Sequence, residues 1–183
     1  MGISTKFTYR DLQAIPPDHH RYEIVDGELF VSPSPIFLHQ LLVSNLHRRL
    51  AQHASKRKLG VVVVAPCDIV FSRYTVLEPD IFFVSKNRFQ IIGEKNLSGP
   101  PDLVVEVLSP STSRLDREIK FKQYAQYGVP EFWLVDPGRK TIKIFRLKAR
   151  EYEVAALLRF GDTLTSPLFP GLAIPVAELW EMM

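Results

Sequence analysis

Asp102-Leu103-Val104-Val105-Glu106-Val107-Leu108-Ser109-Pro110-Ser111-Thr112 is the stretch on which the reading of this chain turns. Apart from Glu106, residues 103–108 are apolar, the pattern of a short strand covered on both faces. A carboxylate in such a run is costly unless it is paired, hydrogen-bonded or bound to metal. Upstream, Glu78-Pro79-Asp80-Ile81-Phe82-Phe83-Val84 repeats the arrangement, with an acid at the head of an apolar strand. Downstream, the period predicts a helix over 114–127, on which Asp116, Lys120, Gln123 and Tyr124 share one face. If the two strands are neighbours, Asp80 and Glu106 converge at one end of a sheet and Lys120 is aimed at them.

Two carboxylates with a lysine nearby point to a divalent-metal site for cutting phosphodiesters. A metal lowers the pKa of bound water and stabilises the phosphate oxyanions. Mg2+ prefers oxygen ligands and keeps several waters, so a few carboxylates suffice. A lysine near the scissile phosphate orients the water or stabilises the transition state. Asp80 and Glu106 are therefore the expected ligands of Mg2+, with Mn2+ as its substitute. Without metal, the two acids should repel each other and raise the pKa of at least one.

Plainer readings stand beside these. Asp80 follows a proline and also fits a turn cap. Glu106 also fits a structural ion pair with Lys120, and Asp116 with Lys120 a simple helix pair. Asp102 starts its strand and reads as structural. Glu23 could reach the site from the first hairpin, but a solvated strand position is the simpler expectation. Of the five histidines, which form no metal pattern, His39 alone stands where a site is expected, at a helix start beside a Pro-rich loop.

Around this centre, a short helix is expected over 8–15 and a hairpin over 22–31, turning at Asp26-Gly27. Leu38, Leu41, Leu42, Leu46 and Leu50 mark a helix over 36–54. Strands follow at 61–65, 68–72 and 80–85, then an irregular loop over 88–101. Ser111, Thr112 and Ser113 offer N-caps for the helix bearing Lys120, and Gly128 its stop. Strands at 131–135, 141–147 and 151–158 lead to a short terminal helix over 176–182. No repeat, linker or Gly-rich phosphate loop is visible, and the 183 residues suit a single domain over 1–183.

Lys and Arg number 23 against 20 Asp and Glu, an excess too small to establish nucleic-acid binding by itself. The basic runs His47-Arg48-Arg49 and Lys56-Arg57-Lys58 could contact phosphates or form a solvated helix face. The single Cys67 excludes an intrachain disulfide and a cysteine zinc site and fits a reducing cytoplasm. The polar start lacks a signal-peptide core, and no apolar run approaches the ~20 residues that span a bilayer.

The stretch 101–112, with Asp116, Lys120, Tyr124 and Gly128-Val129-Pro130-Glu131-Phe132-Trp133-Leu134-Val135-Asp136-Pro137, resembles the Uma-two family of restriction endonucleases in the PD-(D/E)XK nuclease superfamily. Tyr22-Glu23-Ile24-Val25-Asp26-Gly27-Glu28-Leu29 resembles the opening hairpin of that family. The resemblance implies an α/β (α+β) fold, a central mixed β-sheet flanked by helices behind an N-terminal β-hairpin, and metal-dependent DNA cleavage. In it Asp80 matches the first acid and Glu106 the second. The usual lysine two residues later is replaced by Leu108, and Lys120 is the natural substitute.

Two functions follow as expectations. One is a cytoplasmic, homodimeric endonuclease cutting duplex DNA with Asp80, Glu106 and Lys120, supported by Glu23, His39, Asp116, Gln123 and Tyr124. The other is a catalytically silent module that binds nucleic acid or protein on the same scaffold.

Overall fold

The computed structural model describes residues 6–16, 18–109 and 115–182. The expected caps Ser111, Thr112 and Ser113 fall outside them. Helix α1 (Tyr9–Gln13) opens on a reciprocal cap between Thr8 and Asp11. Strands β1 (Arg21–Val25) and β2 (Glu28–Ser32) form the expected hairpin. Its turn residues have positive φ, 52° at Asp26 and 90° at Gly27, the left-handed conformation that tight hairpin turns require. Helix α2 (Phe37–Arg57) runs past the expected end and stops at Lys58 in the left-handed conformation.

Strands β3 (Gly60–Val64), β4 (Ile69–Ser72), β5 (Thr75–Leu77) and β6 (Ile81–Ser85) follow. The expected loop over 88–101 needs correction. It contains most of a 3-10 turn (Lys86–Ile91) and strand β7 (Leu97–Ser98), which pairs in parallel with β4. A two-residue strand made by a distant partner leaves no local periodicity. Strand β8 (Leu103–Val107) leads to a π-helical turn (Leu115–Lys120) and helix α3 (Phe121–Tyr127), which ends at Gly128 with φ 84°. The expected single α-helix is thus a π turn followed by an α-helix. Strands β9 (Glu131–Asp136), β10 (Thr141–Lys148) and β11 (Glu151–Leu158) form a meander. The short pair β12 (Thr163–Leu164) and β13 (Ile174–Pro175) precedes the short terminal helix, which is a 3-10 turn (Val176–Trp180).

The architecture is mixed α+β. Six strands make one sheet in the order β11-β10-β9-β8-β6-β3, and five make another in the order β2-β1-β5-β4-β7. Within the larger sheet only β8 and β9 run parallel, joined by the crossover through α3. Every residue of β8 is buried because both faces are covered. Leu103, Val105 and Val107 join Leu42, Leu46 and Leu50 of α2 in one core. Val104 and Leu108 join Tyr124 of α3 and Val25, Ile69 and Leu77 of the smaller sheet in the other. Glu106 belongs by alternation to this second face. Among the described residues no helix is long and apolar enough to cross a membrane.

Candidate active site

The register of the central strands brings the two acids together. Pairing of β6 with β8 matches Ile81 with Val105, so one step further sets Asp80 opposite Glu106. Both therefore lie at one end of the sheet and on one face, as Phe82 and Val104 do. The Val107 N–H donates to Asp80 Oδ2 at 2.7 Å, locking the two strand ends.

Lys120 arrives from the crossover. Its Nζ lies 2.6 Å from Glu106 Oε1 and 2.9 Å from Glu23 Oε1. All three side chains are buried, Lys120 and Glu106 to 1 % exposure and Glu23 to 2 %. Glu23 therefore corrects the expectation of a solvated strand position. Residues 21, 23 and 25 alternate onto the inner face of β1, against α3 and the central sheet. Glu23 Oε1 also accepts the Glu78 N–H at 2.8 Å. Tyr124 Oη donates to Glu106 Oε1 at 2.6 Å.

Other supporting residues divide. His39, buried at the start of α2, places Nε2 3.1 Å from Asp80 Oδ2, while its Nδ1 is buried without a partner. Gln123 does not reach the carboxylates. Its Nε2 donates to Asp26 Oδ2 at 3.0 Å, tying α3 to the hairpin turn instead. The side chain of Asp116 lies outside the described residues. Asp102 accepts from the Ser85 N–H at 2.8 Å and from Arg88 Nη1 at 3.1 Å, a strand-start brace. Of the basic runs, Arg49 pairs with Glu178, and His47 Nε2 lies 3.3 Å from the Val62 carbonyl oxygen.

Two members were not anticipated. Arg21 donates from Nη1 to Asp80 Oδ1 at 3.0 Å and places Nε 2.9 Å from Glu78 Oε1. The available signal was the Arg21–Glu23 spacing of two on a strand, which puts both side chains on one face. Glu78 was visible as an acid two residues before Asp80, but its approach to Arg21 depends on the packing of β1 beside β5.

Electrostatics separates these acids. Burial would push Asp80 up, but the His39 hydrogen bond, Arg21, the His39 charge and Lys120 outweigh it and hold Asp80 at about 2. Asp80 itself shows no repulsive rise, because Arg21 and His39 join Lys120 beside it. Burial would also lower Arg21, and Asp80 first, then Glu23, Glu106 and Glu78, raise it. Glu78 goes the other way, pushed up from 4.5 to about 7 chiefly by burial, with Glu23 and Asp68 adding repulsion. Arg21 and Lys120 oppose that rise, but each is shared with another carboxylate.

Folding therefore takes up a proton at Glu78. The stability it contributes is complete below the unfolded pKa near ~4.3 and is lost as pH rises through about 7. The loss is on the order of 3 kcal/mol. Urea unfolding of wild type at pH 5 and pH 8 should show this decline, and Glu78→Gln should flatten it. Identical pH dependence in the two proteins would rule Glu78 out as its source.

Among the described residues Glu23, Glu78, Asp80 and Glu106 are gathered around Arg21 and Lys120, with Glu78 holding its proton to about 7. Asp80, Glu106 and His39 line a small cavity of about 20 Å³, room for one water-sized occupant. Beside it opens a cleft of about 340 Å³, lined among others by His20, Ser34, Gln40, Glu78 and Asp80. Among the described residues no group of three or more His, Cys, Asp or Glu is arranged as a metal-ligand set. Two hard carboxylate donors at one strand end still fit a divalent cation that keeps most of its waters.

The chain is similar along nearly all its length to a solved structure, "a putative nuclease belonging to DUF820 from Anabaena variabilis ATCC 29413". The TM-score is 0.78 at 18% identity, covering 95% of this chain and 97% of that one, a likeness of fold. Among curated proteins none matches. The model of the Uma2 family, described as "Putative restriction endonuclease", matches residues 8–177, a span that contains Arg21, Glu23, His39, Glu78, Asp80, Glu106 and Lys120, and the chain belongs to that family.

Proposed function

We propose that this protein is a divalent-metal-dependent endonuclease that hydrolyses phosphodiester bonds in DNA. The observation that carries this reading is the placement of Asp80 opposite Glu106, with Lys120 Nζ 2.6 Å from Glu106, at a small cavity beside an open cleft. Family membership supports a nuclease in general.

Asp80 and Glu106 would hold Mg2+ or Mn2+, which when bound supplies an activated water and neutralises phosphate charge. Asp80, held at about 2, stays a carboxylate at working pH. Lys120 is fixed between Glu23 and Glu106, so its ammonium holds positive charge where water and phosphate must meet. Tyr124 and the Val107 N–H orient the two carboxylates. Attack of water on phosphorus breaks one P–O ester bond and leaves a phosphate and a hydroxyl end. Cutting both strands of a duplex calls for two such sites, so the active species is read as a homodimer.

Supercoiled plasmid incubated with Mg2+ or Mn2+ should be nicked, and chelation should stop it. Millimolar Mn2+ should also raise the melting temperature, since it binds only the native state. No nicking together with a melting temperature indifferent to Mn2+ would overturn the reading and favour the silent binding module.

A further inference from the structure

Arg21 stands between two spaces of this centre. It lines the small cavity with Asp80, Glu106 and His39, and it also lines the larger cleft. Arg21, Asp80, Pro33 and Pro35 are the residues common to both, so they form the wall between cavity and cleft. Of these, Arg21 alone carries a long flexible side chain. Its side chain is 21% exposed, against 2% for Asp80.

The guanidinium is also incompletely used. Nε faces Glu78 and Nη1 faces Asp80, two contacts on a group that carries five N–H donors. A planar fork with unused N–H groups bordering a cleft is matched to an anion with two oxygens, and a phosphodiester is one.

We propose that Arg21 is a phosphate ligand parked on Asp80: it acts as the counter-ion of that carboxylate in the metal-free protein, yields the place to a divalent cation, and turns its fork to the DNA phosphate in the cleft. This rests on the metal-dependent nuclease reading above. Asp80 Oδ2 is already taken by the Val107 N–H and His39, so a cation arriving at Asp80 competes with Arg21 for Oδ1. A rotation about the arginine side-chain bonds keeps the charge inside the site and needs no backbone movement. Metal entry and phosphate capture thereby become coupled events.

The coupling has a signature that a merely structural arginine lacks. Removing the charge should strengthen metal binding while slowing cleavage. Mn2+ binding is measured by calorimetry without nucleic acid, and plasmid nicking at saturating Mn2+, for wild type, Arg21→Gln and Arg21→Lys. Arg21→Gln should bind Mn2+ about tenfold more tightly, the loss of one competing charge-assisted contact. It should nick ~10²-fold more slowly, the scale for losing one electrostatic stabiliser. Arg21→Lys keeps the charge but not the fork, and should fall between wild type and Arg21→Gln on both axes. If Arg21→Gln does not fold, the lysine variant carries the comparison.

Unchanged or weaker Mn2+ binding in the variants, with an active wild type, would overturn the proposal and leave the nuclease reading standing. Tighter binding with wild-type nicking would overturn the phosphate role. A wild type that neither binds Mn2+ nor nicks would remove both.

Discussion

Lys120→Met should destabilise the protein at neutral pH by about 3–5 kcal/mol, the range for breaking a buried ion pair from one side. The ammonium is 1 % exposed and serves Glu23 and Glu106 together, so its loss leaves two buried carboxylates without their shared cation. Methionine preserves length and apolar packing, which isolates the charge. Glu23→Gln in the same background removes one of the orphaned charges and should restore part of the stability. Urea midpoints for the wild type, both single variants and the double variant give the coupling directly. Plasmid nicking by Lys120→Met should fall ~10²–10³-fold, whereas Lys122→Ala, outside the site, should nick like wild type. A Lys120→Met protein as stable and active as wild type would remove Lys120 from the centre.

Asp80→Asn should abolish Mn2+ binding and nicking together, and should also change the acid limb of stability. The carboxylate accepts from Arg21, His39 and the Val107 N–H, and an amide presents a donor to at least one of those donors. Arg21 is then left against Glu78 alone. The sign with pH follows from a native pKa of about 2 against an ordinary 3.8. Stability from this group is complete above ~3.9 and is lost as pH falls through about 2, a loss of about 2 kcal/mol. Wild type should lose that increment on acidification and Asp80→Asn should not. Retention of Mn2+ affinity by Asp80→Asn would place the metal elsewhere.

Glu106 was legible because an isolated acid in Leu103-Val104-Val105-Glu106-Val107-Leu108 conflicts with its own surroundings. Lys120 and Tyr124 were legible through helical spacing, although the turn before α3 is π-helical and only part of the expected face converges. The hairpin turn at Asp26-Gly27 and the helix stop at Gly128 were legible because each depends on a local backbone requirement. Glu23 was misjudged because alternation shows which residues share a face and leaves open which face is covered. Burial of that face depends on β1 packing beside β5 and over α3, which no local pattern encodes.

By itself, then, the sequence determined the strand-rich core, the helix stop at Gly128, the family resemblance and the choice of Asp80, Glu106 and Lys120 as candidates, since each leaves a mark within a few residues of itself. The tertiary structure alone decided that Arg21 neutralises Asp80, that Glu23 shares Lys120, that Gln123 braces the hairpin, and that Glu78 holds its proton to about 7. Those outcomes are set by charges brought together from separate strands and a crossover helix in a medium of low dielectric, where a distance of a few ångströms decides which carboxylate keeps its cation.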